Sequence, residues 1–314
     1  MKILLPLDIS SPGKDYLTKL GYELIIGSGI DQETVAREIE PCVGLLLRTS
    51  PINAYVLERA PNLKVIGRHG VGVDNIDLEC ATKLGIAVTN SPLANYESVA
   101  EHAVAMIFAC SRRVVEMDHF SRSGQWAERM NPQIEDVAGK TIGIVGLGRI
   151  GLATAQKCAL GLSMKVVGYR AKEGVELPDY ITPVDSLEEL LQCSDYVSLH
   201  IPSGEKNRYL LEKKHFEMMK EGAILINTAR GDLYHEEDLY HALNSGRLRS
   251  VGVDVLAQEP PSVDNPLFSL KNLIISPHCA ALSQGAADRM GLDAALGIHQ
   301  VLTGVSPTWP VNQI

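Results

Sequence analysis

The amino-acid sequence predicts an α/β protein made of two doubly wound parallel-sheet domains. A chain of 314 residues is too long for one ordinary hydrophobic core and suits two. Short runs rich in Val, Ile and Leu alternate with charged, helix-like segments, which is the pattern of parallel strands joined by helices. The alternation stops once, near residue 96, and then resumes, so we expect two separate sheets.

The first domain is predicted from four apolar runs before about Asn90, namely "KILLPL", "VGLLLR", "LKVIGR" and "IAVTN". The opening run is stopped by Asp8 and is too short for a signal peptide, so it is interpreted as the first strand. From Tyr96 to about Arg113 the sequence reads as one helix that crosses into the second domain.

The second domain opens with "KTIGIVGLGRIG", and an Ala/Gly-rich helix from Ser283 to about Thr303 is expected to return to the first domain. We therefore predict a discontinuous domain of residues 1–97 and 287–314, and a dinucleotide-binding domain of residues 98–286. The strands of the second domain are expected near 142–145, 165–169, 196–199, 223–227, 250–254 and 273–275.

Composition and charge exclude several function classes. The formal net charge of -9 argues against binding to nucleic acids and anionic membranes, which favour basic surfaces. No apolar run approaches the roughly 18 residues that a membrane helix needs. Six cysteines form no CxxC pair and no zinc-like spacing, so we predict no metal site, reduced thiols and a cytoplasmic location.

A glycine motif follows the apolar strand "TIGIV". Gly146, Gly148 and Gly151 form G-x-G-x-x-G. A helix-forming stretch begins with Arg149 and Ile150, which lie between the second and third of these glycines. The glycines permit a tight turn, close approach of a pyrophosphate and helix-to-strand packing, while the helix N-terminus favours an anion. The motif in this context predicts a nicotinamide dinucleotide site.

Arg170 lies where such folds usually carry an acid for the adenosine ribose, since 170 − 151 = 19 residues separate it from the last glycine. An arginine there is matched to a 2′-phosphate, with Lys172 close enough in sequence to assist. We therefore predict NADP(H). The alternative is that Arg170 is a solvated charge or stacks on adenine and the cofactor is NAD(H).

Six segments resemble the D-isomer-specific 2-hydroxyacid dehydrogenases, a family that includes phosphoglycerate dehydrogenase, hydroxypyruvate and glyoxylate reductases and D-lactate dehydrogenase. The resemblance covers nearly the whole chain and implies a flavodoxin-like substrate domain, a Rossmann dinucleotide-binding domain and a cleft between them. The segments are "GRHGVGVDNID", "VAEHAVAMIF", "GKTIGIVGLGRIG", "INTARGDL", "VGVDVLAQEPP" and "SPHCA".

The resemblance implies three catalytic residues. His278 matches the family's proton donor, and histidine titrates near neutral pH. Glu259 matches the carboxylate that orients the imidazole and favours its protonated form. Arg230 matches the arginine that holds the substrate carboxylate and polarises the ketone.

The resemblance also implies that the loop with Val71 and Gly72 grips the substrate carboxylate. Arg48 ends a predicted strand and is a candidate to bind a phosphate or a second polar group on the substrate. The alternative is that Arg48 is a solvated charge at the end of the strand.

On the cofactor side, the resemblance implies that Asp254 contacts the nicotinamide carboxamide and Thr228 makes another contact, although Asp254 also suits a helix cap or turn. His200 and Pro202 are expected beside the cofactor. For His200 and His69 we favour a pocket-wall or core role over a second acid.

Three functions remain open. The first is an NADP(H)-preferring reductase of a small 2-keto acid such as hydroxypyruvate or glyoxylate. The second is an NAD-dependent 3-phosphoglycerate dehydrogenase, and the third is a non-catalytic NAD(H)-sensing binding protein. The stretch "MDHFSRSGQWAERMNPQIEDV" resembles the family's dimerisation arm and predicts a homodimer. Since the chain ends at Ile314, serine feedback through a C-terminal domain is not expected.

Overall fold

The computed structural model describes residues 1–130, 133–171 and 176–314. The chain folds into two compact units, residues 1–96 with 281–314, and residues 97–280. The assignment of substrate and cofactor to these units remains a prediction.

The first unit is a parallel sheet with helices on its connections. Its five described strands lie in the order β2-β1-β3-β4-β5, which is the flavodoxin-like arrangement. The strands are β1 (Lys2–Leu5), β2 (Glu23–Ile26), β3 (Gly44–Leu47), β4 (Val65–Arg68) and β5 (Ala87–Thr89), and the helices are α1 (Ser11–Lys19), α2 (Gln32–Ile39), α3 (Ala54–Leu57), α4 (Leu78–Lys83) and the C-terminal helix Gln284–Leu302.

Small residues let the C-terminal helix lie directly on the first sheet. Ser283 caps this helix by accepting a hydrogen bond from the Ala286 N–H at 3.2 Å. A Cβ on Gly67 of β4 would lie 2.5 Å from a helix carbonyl, and one on Gly297 would lie 2.4 Å from Thr89 Oγ1. Glycine at these two positions is therefore what permits the close helix-to-sheet distance.

The second unit is also built on a parallel sheet, with seven strands among its described residues in the order β12-β11-β10-β9-β6-β7-β8. Counted from β6, this is the Rossmann order 3-2-1-4-5-6 with a seventh strand added at the far edge. The strands are β6 (Thr141–Leu147), β7 (Lys165–Ala171), β8 (Ile181–Pro183), β9 (Tyr196–Leu199), β10 (Ala223–Asn227), β11 (Leu248–Val253) and β12 (Leu273–Ile275).

The helices of the second unit cover a sheet whose central strands are buried throughout. All residues of β9 and β10 are buried, which is expected of parallel strands covered on both faces. The helices are α5 (Tyr96–Ser111), α6 (Val114–Arg122), α7 (Arg149–Gln156), α8 (Leu187–Cys193), α9 (Lys213–Met218) and α10 (Glu236–Asn244).

The two sheets confirm the predicted fold class. Every predicted strand of the second domain is present, and the predicted crossover helix is α5, which ends at Ser111 because Arg113 adopts a left-handed conformation with φ 51°. Within the described residues, no helix is both long and apolar enough to cross a membrane. All six cysteines are free thiols.

Candidate active site

The predicted glycine motif forms the turn between β6 and α7. Gly146 has φ 98°, and a Cβ on Gly151 would lie 2.0 Å from the Gly146 carbonyl oxygen, so both positions require glycine. Gly148 is the N-cap of α7, has no side-chain cap and has open space where a Cβ would be. The uncapped N–H groups and the open space suit a pyrophosphate. Arg149 is exposed and Ile150 is half-buried.

Two further predicted cofactor residues carry buried polar atoms without a hydrogen-bond partner among the described residues. They are Thr228 Oγ1, after β10, and His200 Nδ1, after β9. His200 Nε2 lies 2.8 Å from Ser198 Oγ, and burial lowers the pKa of His200 to about 3, so the ring is neutral. Unpartnered buried atoms at the carboxyl ends of strands fit a polar ligand there. Pro202 is exposed in the same loop.

The backbone of Arg170 lies in β7, the strand beside the glycine turn. Tyr169 pairs with Val145 and Ala171 pairs with Leu147, so Arg170 lies one residue before the end of the strand, opposite Gly146 of the glycine turn. This is the position expected for the residue that reads the adenosine ribose. The predicted partner Lys172 lies outside the described residues.

His278 and Glu259 form a close pair. His278 Nδ1 lies 2.6 Å from Glu259 Oε2, and the side chains are 53% and 35% exposed. The hydrogen bond to Glu259 raises the pKa of His278 above its usual value. Burial raises the pKa of Glu259, but the hydrogen bonds from His278 and the Leu256 N–H outweigh it, so this pKa is lowered. The pair therefore favours imidazolium beside carboxylate.

Asp254 holds the loop that presents His278. His278 has φ 50°, a conformation that is uncommon for residues other than glycine. Its N–H donates to the Asp254 carbonyl oxygen at 2.8 Å, and the Asp254 carboxylate accepts from the N–H groups of Cys279 and Ala280 at 2.9 and 2.8 Å. The Ser276 hydroxyl also donates to this carboxylate. In this structure Asp254 is thus a loop anchor, the turn role that its sequence context also allowed.

Arg230 follows β10 on a tightly held turn. Asn227 Nδ2 donates to the Arg230 carbonyl oxygen at 2.8 Å, and the Arg230 guanidinium donates to the Ala229 carbonyl oxygen at 2.7 Å. A Cβ on Gly231 would lie 2.0 Å from the Leu256 carbonyl carbon. The Arg230 turn is therefore packed on the backbone that leads to Glu259, and the charge of Arg230 opposes protonation of His278.

The predicted substrate residues of the first unit follow neighbouring strands. Arg48 comes directly after β3, and its guanidinium donates to the Asp8 carbonyl oxygen at 3.0 Å. Val71 and Gly72 come after β4; Val71 is 37% exposed, and its carbonyl oxygen accepts from Asn90 Nδ2 at 2.9 Å. Asn75 Nδ2 donates to the carbonyl oxygens of Arg48 and Ser50, which ties the two loops together.

His69 lies under these loops as a core residue. It is 6% exposed, and its Nε2 lies 3.2 Å from the Ala287 carbonyl oxygen. Burial and the nearby Arg48 lower the pKa of His69 to about 4, so it is neutral near pH 7. It is placed as a hydrogen-bonding core histidine.

The structure thus brings Arg230, Glu259 and His278 together within the second unit, and Arg48, Val71 and Gly72 together within the first. Sequence reasoning missed two supporting residues, Gly231 and Ser276. Gly231 had a signal, since a glycine directly after a predicted functional arginine indicates close packing.

Comparisons with known proteins agree with this geometry. Residues 104–280 match the family model described as "D-isomer specific 2-hydroxyacid dehydrogenase, NAD binding domain". The chain is 38% identical to the D-3-phosphoglycerate dehydrogenase of Archaeoglobus fulgidus, and the match covers 99% of this chain and 59% of that protein. It is 39% identical to the glyoxylate reductase of Korarchaeum cryptofilum, covering 90% of this chain and 86% of the relative.

A solved structure is similar over the full length. The TT0316 protein of Thermus thermophilus superposes with a TM-score of 0.91 at 36% identity, covering 99% of this chain and 100% of that one. The chain therefore belongs to the D-isomer-specific 2-hydroxyacid dehydrogenase family, whose members are oxidoreductases that act on 2-hydroxy acids with a nicotinamide cofactor.

Proposed function

We propose that this protein transfers hydride between a nicotinamide cofactor and C2 of a small 2-keto acid such as hydroxypyruvate or glyoxylate. The observation that carries the proposal is the His278–Glu259 pair, 2.6 Å apart and open to solvent on the histidine side, with Arg230 on an adjoining turn. An acid, a carboxylate partner and a fixed cation are what reduction of a keto acid requires.

His278 is the proposed proton donor. Glu259 engages Nδ1, which leaves Nε2 as the nitrogen that serves the substrate. When bound, the nicotinamide cofactor would supply the hydride, and His278 would give its Nε2 proton to the oxygen that becomes the hydroxyl. In the reverse direction a neutral His278 accepts that proton, while Glu259 stabilises the imidazolium that forms.

Arg230 and the loop with Val71 and Gly72 are the proposed substrate holders. A guanidinium forms paired hydrogen bonds with a carboxylate and attracts charge that develops on the ketone oxygen. The N–H groups of a glycine-containing loop add donors at close range. Asp254 is proposed as a positioning residue that acts through the His278 loop, in addition to the cofactor contact implied by the resemblance.

NADP(H) is the proposed cofactor because an arginine lies one residue before the end of β7, where NAD-dependent folds usually have an acid. The proposed contacts lie along the carboxyl edge of the second sheet, and they come from Gly146, Gly148, Arg149, Ile150, Gly151, Arg170, Lys172, His200, Pro202, Thr228 and Asp254.

Phosphoglycerate oxidation with NAD is the second candidate. It is favoured by the half-buried cation Arg48 beside the substrate loop and by the identity to a phosphoglycerate dehydrogenase, of which this chain spans 59% of the length.

We also propose a homodimer, because α6 has no buried residue and Trp126 and Met130 are 62% and 79% exposed. The six free thiols suit a cytoplasmic location.

The test is oxidation of NADPH and of NADH by the purified protein with hydroxypyruvate, glyoxylate, pyruvate and 3-phosphohydroxypyruvate. We expect turnover with NADPH that Arg170→Asp weakens selectively and His278→Ala abolishes. His241→Ala, at an exposed histidine on α10, is the matched control and is expected to keep full activity.

Other outcomes separate the alternatives. A preference for NADH and the phosphorylated substrate would replace the first function by the second. Cofactor binding without turnover of any keto acid would support the binding-protein function instead.

A further inference from the structure

A thiol, an imidazole and a carboxylate from three separate parts of the second unit meet beside the His278 loop. They belong to Cys279 after β12, His102 on α5 and Asp254 after β11, and their ligand atoms all lie within 4.8 Å of one another. His102 Nε2 is 3.6 Å from Asp254 Oδ1. The sequence did not indicate this cluster, because the three residues lie far apart along the chain.

The three groups form a ligand set suited to zinc. Zn²⁺ binds sulfur, imidazole nitrogen and carboxylate oxygen in a tetrahedron, and bond lengths of about 2.0–2.3 Å put the ligand atoms roughly 3.3–3.7 Å apart. The separation of His102 from Asp254 already falls in that range. The Cys279 sulfur lies within 4.8 Å of the other two ligand atoms and would move closer to them on binding, and the fourth position would stay open to water.

The groups are also accessible and held together by polar contacts. The side chain of His102 is 24% exposed and Cys279 is half-buried, whereas Asp254 is 1% exposed. The Ser276 hydroxyl lies between the His102 ring and the Asp254 carboxylate, 2.8 Å from His102 Nε2 and 2.5 Å from Asp254 Oδ1. A cation bound at both of these atoms would take over the bridging position of the Ser276 hydroxyl.

Metal binding here would disturb the presentation of His278. Asp254 Oδ1 also accepts the Cys279 N–H at 2.9 Å, one residue from His278. A metal ion would compete for that oxygen, displacing the carboxylate that anchors the left-handed turn, and would also bind the Cys279 sulfur one residue from His278. The turn has little freedom to relax, since the His278 N–H is held by the Asp254 carbonyl oxygen.

We propose that Cys279, His102 and Asp254 form an inhibitory site for a thiophilic divalent cation such as Zn²⁺. Binding forms a Zn–S bond and releases the thiol proton to solvent, with no change in oxidation state. The inhibition rests on the proposed dehydrogenase function, whereas the binding of the metal does not.

The binding test uses metal-free protein, Zn²⁺ titrations followed by calorimetry, and Cd²⁺ as a probe whose bond to thiolate absorbs in the ultraviolet. We expect one bound ion, a Cd–thiolate band, and at least tenfold weaker binding in Cys279→Ala and His102→Gln. Cys80→Ala removes another half-buried thiol, from the first unit, and is expected to leave binding unchanged.

The inhibition test measures keto-acid reduction at increasing Zn²⁺, with chelator added afterwards. We expect reversible inhibition in the wild type and in Cys80→Ala, and at least a tenfold higher half-inhibitory concentration in Cys279→Ala. Equal inhibition of the wild type and Cys279→Ala would overturn the proposal and point to His278 and Glu259 as ligands. Absence of the Cd–thiolate band would overturn it too. Metal binding that depends on Cys279 in a protein without turnover would retain the site and reject the dehydrogenase function.

Discussion

Replacing Glu259 by Gln tests whether the carboxylate keeps His278 protonated. The substitution retains the size of the side chain and its ability to accept from the Leu256 N–H, which lies 3.0 Å from Oε1. In the wild type, the negative charge of Glu259 lies 2.6 Å from His278 Nδ1 and raises the pKa of His278. The substitution removes this charge and should therefore lower the pKa of His278. The His278 imidazole of the variant should thus lose its proton at a lower pH than that of the wild type.

The size of the effect follows from the geometry. A hydrogen bond between charged groups contributes about 1.5–3 kcal/mol, and we take about 1.5 kcal/mol because the two side chains are 53% and 35% exposed and water screens the pair. About 1.4 kcal/mol corresponds to a factor of ten in a protonation equilibrium. At pH values above the His278 transition, Glu259→Gln should therefore hold about tenfold less of the protonated acid.

The assay is kcat/KM for reduction as a function of pH, in the wild type and in Glu259→Gln. Reduction needs protonated His278, so the variant should fall about tenfold behind at high pH and approach the wild type at low pH. Oxidation of the hydroxy acid needs neutral His278. The kcat/KM for oxidation should therefore begin to rise at a lower pH in the variant than in the wild type. Glu237→Gln, which alters an exposed Glu–His pair at 3.9 Å, is the matched control.

A loss of the same size at every pH and in both directions would refute this reasoning. It would show that Glu259 shapes the loop without setting the protonation of His278.

Three further predictions concern the packing around the site and the proposed dimer. Gly231→Ala should lower the free energy of unfolding by about 3 kcal/mol or more, because the added Cβ would lie 2.0 Å from the Leu256 backbone. Chemical denaturation measures this free energy. The control is Gly161→Ala, which has open space around the added Cβ and should leave the free energy of unfolding nearly unchanged. Asp254→Asn should cost about 1–3 kcal/mol and reduce kcat, because an amide cannot accept from both the Cys279 and Ala280 N–H groups; unchanged stability and kcat would contradict the anchoring role. Trp126→Asp should weaken the proposed dimer by at least about 2 kcal/mol, seen as monomer in sedimentation, and an unchanged oligomeric state would exclude the arm as the interface.

The sequence alone was enough to predict the two sheets and the glycine turn. The signals are local: apolar runs such as β10 define strands, and Gly146 and Gly151 are required by backbone conformation and close approach over a few residues. The family's motifs also implied Arg230, Glu259 and His278, because each lies in a short and specific segment.

Tertiary structure decided how those residues are supported. The 2.6 Å pair joins residues 19 positions apart, and Asp254 reaches 25 and 26 positions along the chain to hold Cys279 and Ala280. His102 meets Cys279 only because α5 packs beside the ends of β11 and β12, and periodicity within one element contains no information about such contacts. The sequence by itself therefore determined the elements and the chemistry of the individual groups. Only the packing of distant loops determined the pKa of His278, the anchoring of its turn and the cluster beside it, because those properties depend on distances between segments that are remote in the chain.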